Sequence, residues 1–320
     1  MRPTTIVRSL LGSPAVTPLP IRNPFDQQVS AEIDSLQGAG ESTYTSAAWL
    51  LQALDASIAT QKIALDSLAN VTNCRDSDHK AIDKYLDDHN IEMLDACNNL
   101  LEKIEIIRKY LESLRVVSHL LDGQVKHSAM ALGRAQDVLE SCEAMQRKVL
   151  SQKLARGASS SASTTMVASH ESELGEIISG SKAVALTACR FLGLALSFKS
   201  NRWLPTTIMQ MQSWRPPMSL WLISLQELQK QVKVECEKHK RSNSSMMMLT
   251  ELRVTVMAAR DLRGQIKSGK LSKLGPAVEE MKRSCGELEE GIDVLEGRVK
   301  ELCKNLIYVR MALLGILSQA

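Results

Sequence analysis

Six histidines, at positions 79, 89, 119, 127, 170 and 239, and seven cysteines, at 74, 97, 142, 189, 236, 285 and 303, are the residues of this 320-residue chain best suited to bind a metal or attack a substrate. Their spacing supports neither. No HxxxH or HExxH places two imidazoles on one helix face, and no CxxC occurs, so the sequence offers no framework for zinc. Gly175 and Gly180-Ser181-Lys182 imitate the two ends of a phosphate-binding loop, but the order is GSK rather than GK followed by Ser or Thr. No strand precedes it, and a phosphate cradle needs the strand-loop-helix geometry. A GxSxG nucleophile elbow is absent. The acid pairs Asp87–Asp88 and Glu289–Glu290 fall on helical stretches. Adjacent residues there splay by about 100°, so these pairs read as solvated faces rather than acid–base dyads. Cys97 and Cys285 fall on apolar seams, where a thiol behaves as a small hydrophobe. The expectation is a non-enzymatic chain with no catalytic residue, no cofactor and no metal.

The elements that would carry these residues are helices. No proline stands between Pro24 and Pro205. Ser46 is placed to cap a helix running to Asn70, and Val71–Ser77 reads as a turn. Met93, Cys97, Leu100, Ile104, Ile107, Leu111, Leu114, Ser118 and Leu121 then alternate steps of four and three, the 3.5-residue repeat of a coiled coil. With Leu86 in register, one helix spans Asp78 to Leu121, closed by Gly123. A helix over Gln124–Ala155 folds back along it. Residues 157–170 are small and uncharged, the composition of a flexible linker. Further helices are expected over Glu171–Phe198, Met218–Lys240 and Met246–Lys267. The last begins at Pro276 and carries a second seam: Val278, Met281, Cys285, Leu288, Ile292, Leu295, Val299, Leu302, Leu306, Val309, Leu313 and Ile316. The fold class is all-α, an elongated multi-helix bundle with long antiparallel coiled-coil-like helices. Its parts are a disordered proline-rich basic tail (1–45), N-terminal long helices (46–156), a Ser-rich flexible linker (157–170) and C-terminal helices completing the same bundle (171–320). The alternative for the final seam is pairing between chains as a self-associating rod.

Composition narrows compartment and partners. The cysteine count is odd and the spacing wide, which favours a reducing, cytoplasmic setting over a disulfide framework. Residues 1–25 contain three arginines, five prolines and no acid. A basic disordered tail is the first reading and an organellar import segment the second. Ala183–Phe198 and Leu306–Leu317 are apolar but shorter than the roughly 20 residues of a bilayer crossing, and each holds an arginine. Buried bundle helices account for both.

The net charge of +3 conceals opposed sections. Residues 26–198 carry 16 bases and 23 acids, whereas 199–283 carry 16 bases and 7 acids. Within the basic section, Lys238, Lys240 and Arg241 fall at a helix end, and Arg260, Arg263, Lys267, Lys270 and Lys273 lie around the next turn. Such residues suit an anionic membrane surface or an acidic protein. The competing reading is intramolecular, with this section facing the acidic half. Nucleic acid is not expected, because few aromatics are interleaved with the bases. Trp203, Trp214 and Trp221 beside Arg202 and Arg215 fit either a membrane interface or a loop plugging the bundle end. Asn23-Pro24-Phe25, in the expected tail, matches the NPF tripeptide of endocytic-adaptor ligands.

Several short patterns, taken in order, resemble the plant BYPASS-related (ROH-like) family. They are Asn23-Pro24-Phe25, Trp49-Leu-Leu-Gln-Ala-Leu54, Ile82-Asp-Lys-Tyr-Leu-Asp87, Met93-Leu-Asp-Ala-Cys-Asn98 and Gly291-Ile-Asp-Val294. The resemblance covers residues 23–125 and, less closely, 270–320; the middle of the chain departs from it. It implies a non-enzymatic helical protein of root and shoot development, restraining a root-derived growth-arresting signal or acting with the exocyst in secretion. It implies protein partners, exocyst subunits among them, and carries over no catalytic residue. An enzyme of small-molecule signal metabolism is the alternative; it would need a polar pocket with perturbed titratable groups where helices converge.

Overall fold

The structure, a computed structural model, describes residues 23–37, 44–70, 76–122, 128–156, 172–198, 219–241, 248–269 and 271–319. Among them the regular elements are helical throughout: α1 (Pro24–Gln37), α2 (Ala47–Ala69), α3 (Asp76–Lys84), a π turn (Tyr85–His89), α4 (Asn90–Leu121), α5 (Ala129–Arg156), α6 (Glu173–Ala195), α7 (Leu220–Arg241), α8 (Thr250–Ser268), a 3₁₀ turn (Leu271–Lys273) and α9 (Leu274–Gln319). The expected all-α bundle is the observed fold. Side chains cap the starts of α2 and α6. Ser46 Oγ accepts the Trp49 N–H at 3.2 Å, and Ser172 Oγ accepts the Gly175 N–H at 3.0 Å. α8 ends at Gly269, whose φ of 67° lies in the left-handed region that a Cβ disfavours.

Both heptad seams point inward. Every seam residue of α4 from Met93 to Leu121 is buried, as is every seam residue of α9 from Val278 to Leu313. Cross-helix contacts fix their direction: Asn90 Nδ2 donates to Leu306 O at 3.3 Å, Arg108 pairs with Asp293 at 2.7 Å, and Asp122 pairs with Lys282 at 3.1 Å. The α9 number falls as the α4 number rises, so the two run antiparallel. The seam of α9 is therefore filled within the chain. α2 runs parallel to α9, since Asp55 meets Arg298 at 3.0 Å and Lys62 meets Glu301 at 3.6 Å. α6 runs parallel to α4, with Glu92 on Lys182 and Lys103 on the Gly193 carbonyl. α8 closes on α9 through the Thr255 hydroxyl, which donates to Ser284 O at 2.9 Å.

The expected tail is corrected at residues 24–37, which form α1. Phe25, Val29, Ile33 and Leu36 share one face and are at most 6% exposed. Asn23 Oδ1 accepts the Phe25 N–H at 3.0 Å, and Pro24 occupies the first helical position, where its missing N–H costs nothing. Asp26 Oδ1 in turn accepts the Trp221 N–H at 2.9 Å, placing an acid at the start of α7. Phe25 is sealed against Gly180, so Asn23-Pro24-Phe25 is a helix start and not a free adaptor motif. The remaining residues 1–22, Gly123, the 157–170 linker, Trp203 and Trp214 lie outside the described residues.

A Cβ at Gly180 would stand 2.9 Å from Phe25 Cε1 and 3.3 Å from Trp221 Cε2. We expect Gly180→Ala and Phe25→Ala each to lower stability, the second by about 3 kcal/mol. In the double variant the added methyl points into the space left by the ring, so the total loss should fall short of the sum. Urea denaturation of the four proteins measures this coupling.

Candidate functional site

The basic section resolves into residues with different fates. On α8, Arg263 pairs with Glu140 at 3.1 Å and with Glu143, and Lys267 reaches Glu140 at 3.4 Å. The hydrogen bonds that Arg263 donates to Glu143 and Glu140 raise its pKa, and Arg263 in turn holds the Glu140 carboxyl below its usual range. These two bases pair with two of the acids of α5, the intramolecular arrangement that was the competing reading of the basic section. Arg260 on α8 and Lys273 on the 3₁₀ turn are exposed. Lys238, Lys240 and Arg241 belong to the last turns of α7, with side chains outside the described residues; Lys270 is also outside them. Trp221 is fully buried against α1 and α6, where it serves the core.

A second polar centre lies on α6. Lys182 sits inside α6, so Gly180-Ser181-Lys182 is helix interior and no phosphate loop. Its side chain is 1% exposed, with Nζ 2.5 Å from His89 Nδ1 and 3.0 Å from Glu92 Oε2. Burial pulls the Lys182 pKa down while the Glu92 carboxylate opposes that fall. His89 is lowered to about 4 by burial first and then by the neighbouring Lys182 and Lys84 cations, against the pull of Glu92 and Asp88. A neutral imidazole therefore accepts from the ammonium at Nδ1. Gln61 Nε2 donates to Ser181 O at 2.9 Å, which ties α2 to the same level of α6.

The π turn that carries His89 is braced from α9. Asn90 N–H bonds to Tyr85 O across the widened turn, and Arg310 donates to Leu86 O at 3.1 Å and to Asn90 Oδ1 at 3.3 Å. A π turn inserts one residue into the helical count and re-aims carbonyls off the axis. Here one of them receives a guanidinium. Arg310, read from sequence as an obstacle to membrane insertion, is thus an internal donor. Tyr85 is buried beside it, and burial pushes its phenol up to about 12. The arrangement clamps α4 to α6 and α9; each of these contacts is to another part of the chain.

No family model, no curated protein and no solved structure matches this chain. Among the described residues no group of three His, Cys, Asp or Glu side chains is placed to hold a metal ion. One described helix, α6, is long and apolar enough by length and composition to cross a membrane, and 78% of its apolar window is buried inside the bundle.

The clamp predicts an acid-sensitive fold. In the unfolded chain His89 titrates near 6.5, and in the folded chain near 4. Its contribution is complete above the unfolded value and is lost as pH falls toward the folded one, because only the unfolded state takes the proton. The loss from this group has a ceiling of about 3 kcal/mol. Urea midpoints of the wild type and of His89→Gln should therefore diverge at pH 7.5 and converge by pH 4.

Proposed function

We propose that this chain is a non-enzymatic interaction bundle whose partners meet it at the outer face of the last turns of α9. The observation that carries this reading is a row of exposed apolar side chains there. Ile307 is 47% exposed, Tyr308 47%, Met311 60% and Leu314 39%, while Leu306, Val309 and Leu313 of the same turns are buried in the seam. Single exposed hydrophobes are ordinary. Four within eight residues, three of them spaced four and three, make a stripe on a helix whose other face is already occupied. Lys304 lies over the Tyr308 ring at 5.7 Å from its centroid and flanks the stripe with positive charge. From Lys304 to the last residue no acid interrupts it.

The resemblance to BYPASS-related proteins supplies the biological setting of this proposal: plant development, restraint of a root-derived growth-arresting signal, and secretion with the exocyst. The partner class is then an exocyst subunit offering an apolar groove to the α9 stripe. The end of α7, with Lys238, Lys240 and Arg241, is the second surface, for anionic membrane at the cytoplasmic side. The enzyme reading rests on perturbed titratable groups. Those at Lys182 and His89 are engaged with each other and with Glu92, which favours a structural role for them.

Pull-down of exocyst subunits from plant extract by the full-length chain tests the proposal. Capture should fall at least tenfold for Ile307→Ser combined with Met311→Ser and Leu314→Ser, with the helical circular dichroism unchanged. Equal capture by that variant, or reproducible absence of every subunit with the wild type, overturns it. For the basic surface, flotation with phosphatidylserine vesicles should weaken on charge reversal at Lys238, Lys240 and Arg241, and more so at low salt.

A further inference from the structure

The rim along which α4 meets α9 can be followed by its polar contacts. Arg108, Arg115 and Asp122, spaced by sevens on α4, reach Glu296, Glu289 and Lys282, spaced by sevens on α9. Steps of seven return to the same side of a seam helix. The rim therefore continues through Leu101 and Leu94 on α4 and through Cys303 and Arg310 on α9. Arg310 does cross it, donating to Leu86 O and Asn90 Oδ1. One step outward from the rim, both helices are apolar and open to solvent. Ile91, three residues before Leu94, is 51% exposed, and Ile307, three residues before Arg310, is 47% exposed. Met311 and Leu314 extend the α9 side. The α9 stripe is thus one side of a patch, and α4 supplies the other.

Charge around this patch is divided by helix. On α4, Asp87 and Asp88 lie one turn before Ile91 and Asp95 one turn after it; all three are exposed and have no ion pair among the described residues. On α9, Lys304 is exposed and lies over the Tyr308 ring, again with no carboxylate partner among the described residues. A partner of one sign would satisfy one edge and be repelled by the other. The fitting partner brings a base to the α4 edge, an acid to the α9 edge and apolar side chains between them. This chain carries that pattern itself.

We propose that a second copy of this chain docks on the patch about a two-fold axis parallel to the α4–α9 rim, so that α4 of each copy lies over α9 of the other. This rests on the reading of the outer face of α9 as a docking surface, and names what covers it when no other partner does. A two-fold rotation about an axis along the helices exchanges the two edges and keeps every residue at its own level. The Asn90–Leu306 contact sets those levels. Ile91 of one copy then falls opposite Ile307 of the other. Asp95, four residues later on α4, falls opposite Lys304, three residues earlier on the antiparallel α9. Each pair occurs twice by symmetry. Four half-exposed side chains on each copy fill only part of the ~800 Å² that each partner gives to a standard interface. The pairing is therefore weak and concentration-dependent, and a partner with a larger apolar groove displaces it.

Sedimentation velocity of the full-length protein over a concentration series tests this. The wild type should pass from monomer to dimer, and Ile91→Ser should stay monomeric with its helical circular dichroism unchanged. Lys304→Glu and Asp95→Lys should each weaken the dimer by about tenfold or more, because each sets two like-charge pairs across the interface. An equimolar mixture of those two variants should dimerise again, since a mixed pair has opposite signs at both contacts. Neither pairing within one chain nor general stickiness gives that result. The two-fold pairing is ruled out if the wild type stays monomeric up to about 1 mM, if Ile91→Ser dimerises as the wild type does, or if the mixture associates no better than its components. A wild type that captures exocyst subunits but never dimerises removes the pairing alone. One that dimerises and captures none upholds the pairing and removes the exocyst reading.

Discussion

The antiparallel packing of α4 on α9 is the constraint on which the rest of the molecule depends. Each helix presents a row of aliphatic side chains at every third and fourth position, and burying one such side chain contributes on the order of 1.5–3 kcal/mol. Nine or more consecutive seam residues on each helix are buried, so the pair is held along its full length instead of at one crossing. The other helices take their places from it. α2 lies parallel along α9, α6 parallel along α4, and α5 and α8 close the side where Arg263 meets Glu140. α1 and α7 come last, locked together by Phe25, Trp221 and the Ser30–Ser224 hydroxyl contact at 2.8 Å.

Aliphatic seams specify that two helices pack but only weakly specify where along their length. Polar contacts at chosen levels settle that choice. Asn90 and Arg310 set α4 against α9 near one end, the Arg108 and Arg115 bridges set the middle, and Asp122–Lys282 sets the other end. Lys182 does the same for α4 against α6. A buried ammonium is expensive unless it is paired and hydrogen-bonded, and Lys182 has both an imidazole and a carboxylate in reach.

The two seams, the cap at Ser46 and the long helix through the π turn were legible because periodicity and capping are local signals. α1 was missed although its own pattern, Phe25, Val29, Ile33 and Leu36 after an Asn-Pro start, is a fair amphipathic helix. The five prolines of residues 1–25 dominated the reading of that stretch, and the fourteen residues of α1 become worth ordering only when Trp221 and Gly180 are there to receive Phe25. The GSK order already excluded a phosphate loop at Lys182, but a linear string could not show that its ammonium meets a histidine ninety-odd residues away. The basic section was visible as charge. Which of its members were free was not, since Arg263 and Glu140 meet only after α5 and α8 have packed.

The two seams are joined within one chain and antiparallel. Zero-length carboxyl–amine cross-linking of a mixture of isotopically heavy and light protein tests this directly. It should give Asp122–Lys282 and Lys62–Glu301 isopeptides solely as light–light and heavy–heavy pairs, at a yield independent of protein concentration. Mixed light–heavy pairs, or cross-links joining the start of α4 to the start of α9, would contradict it.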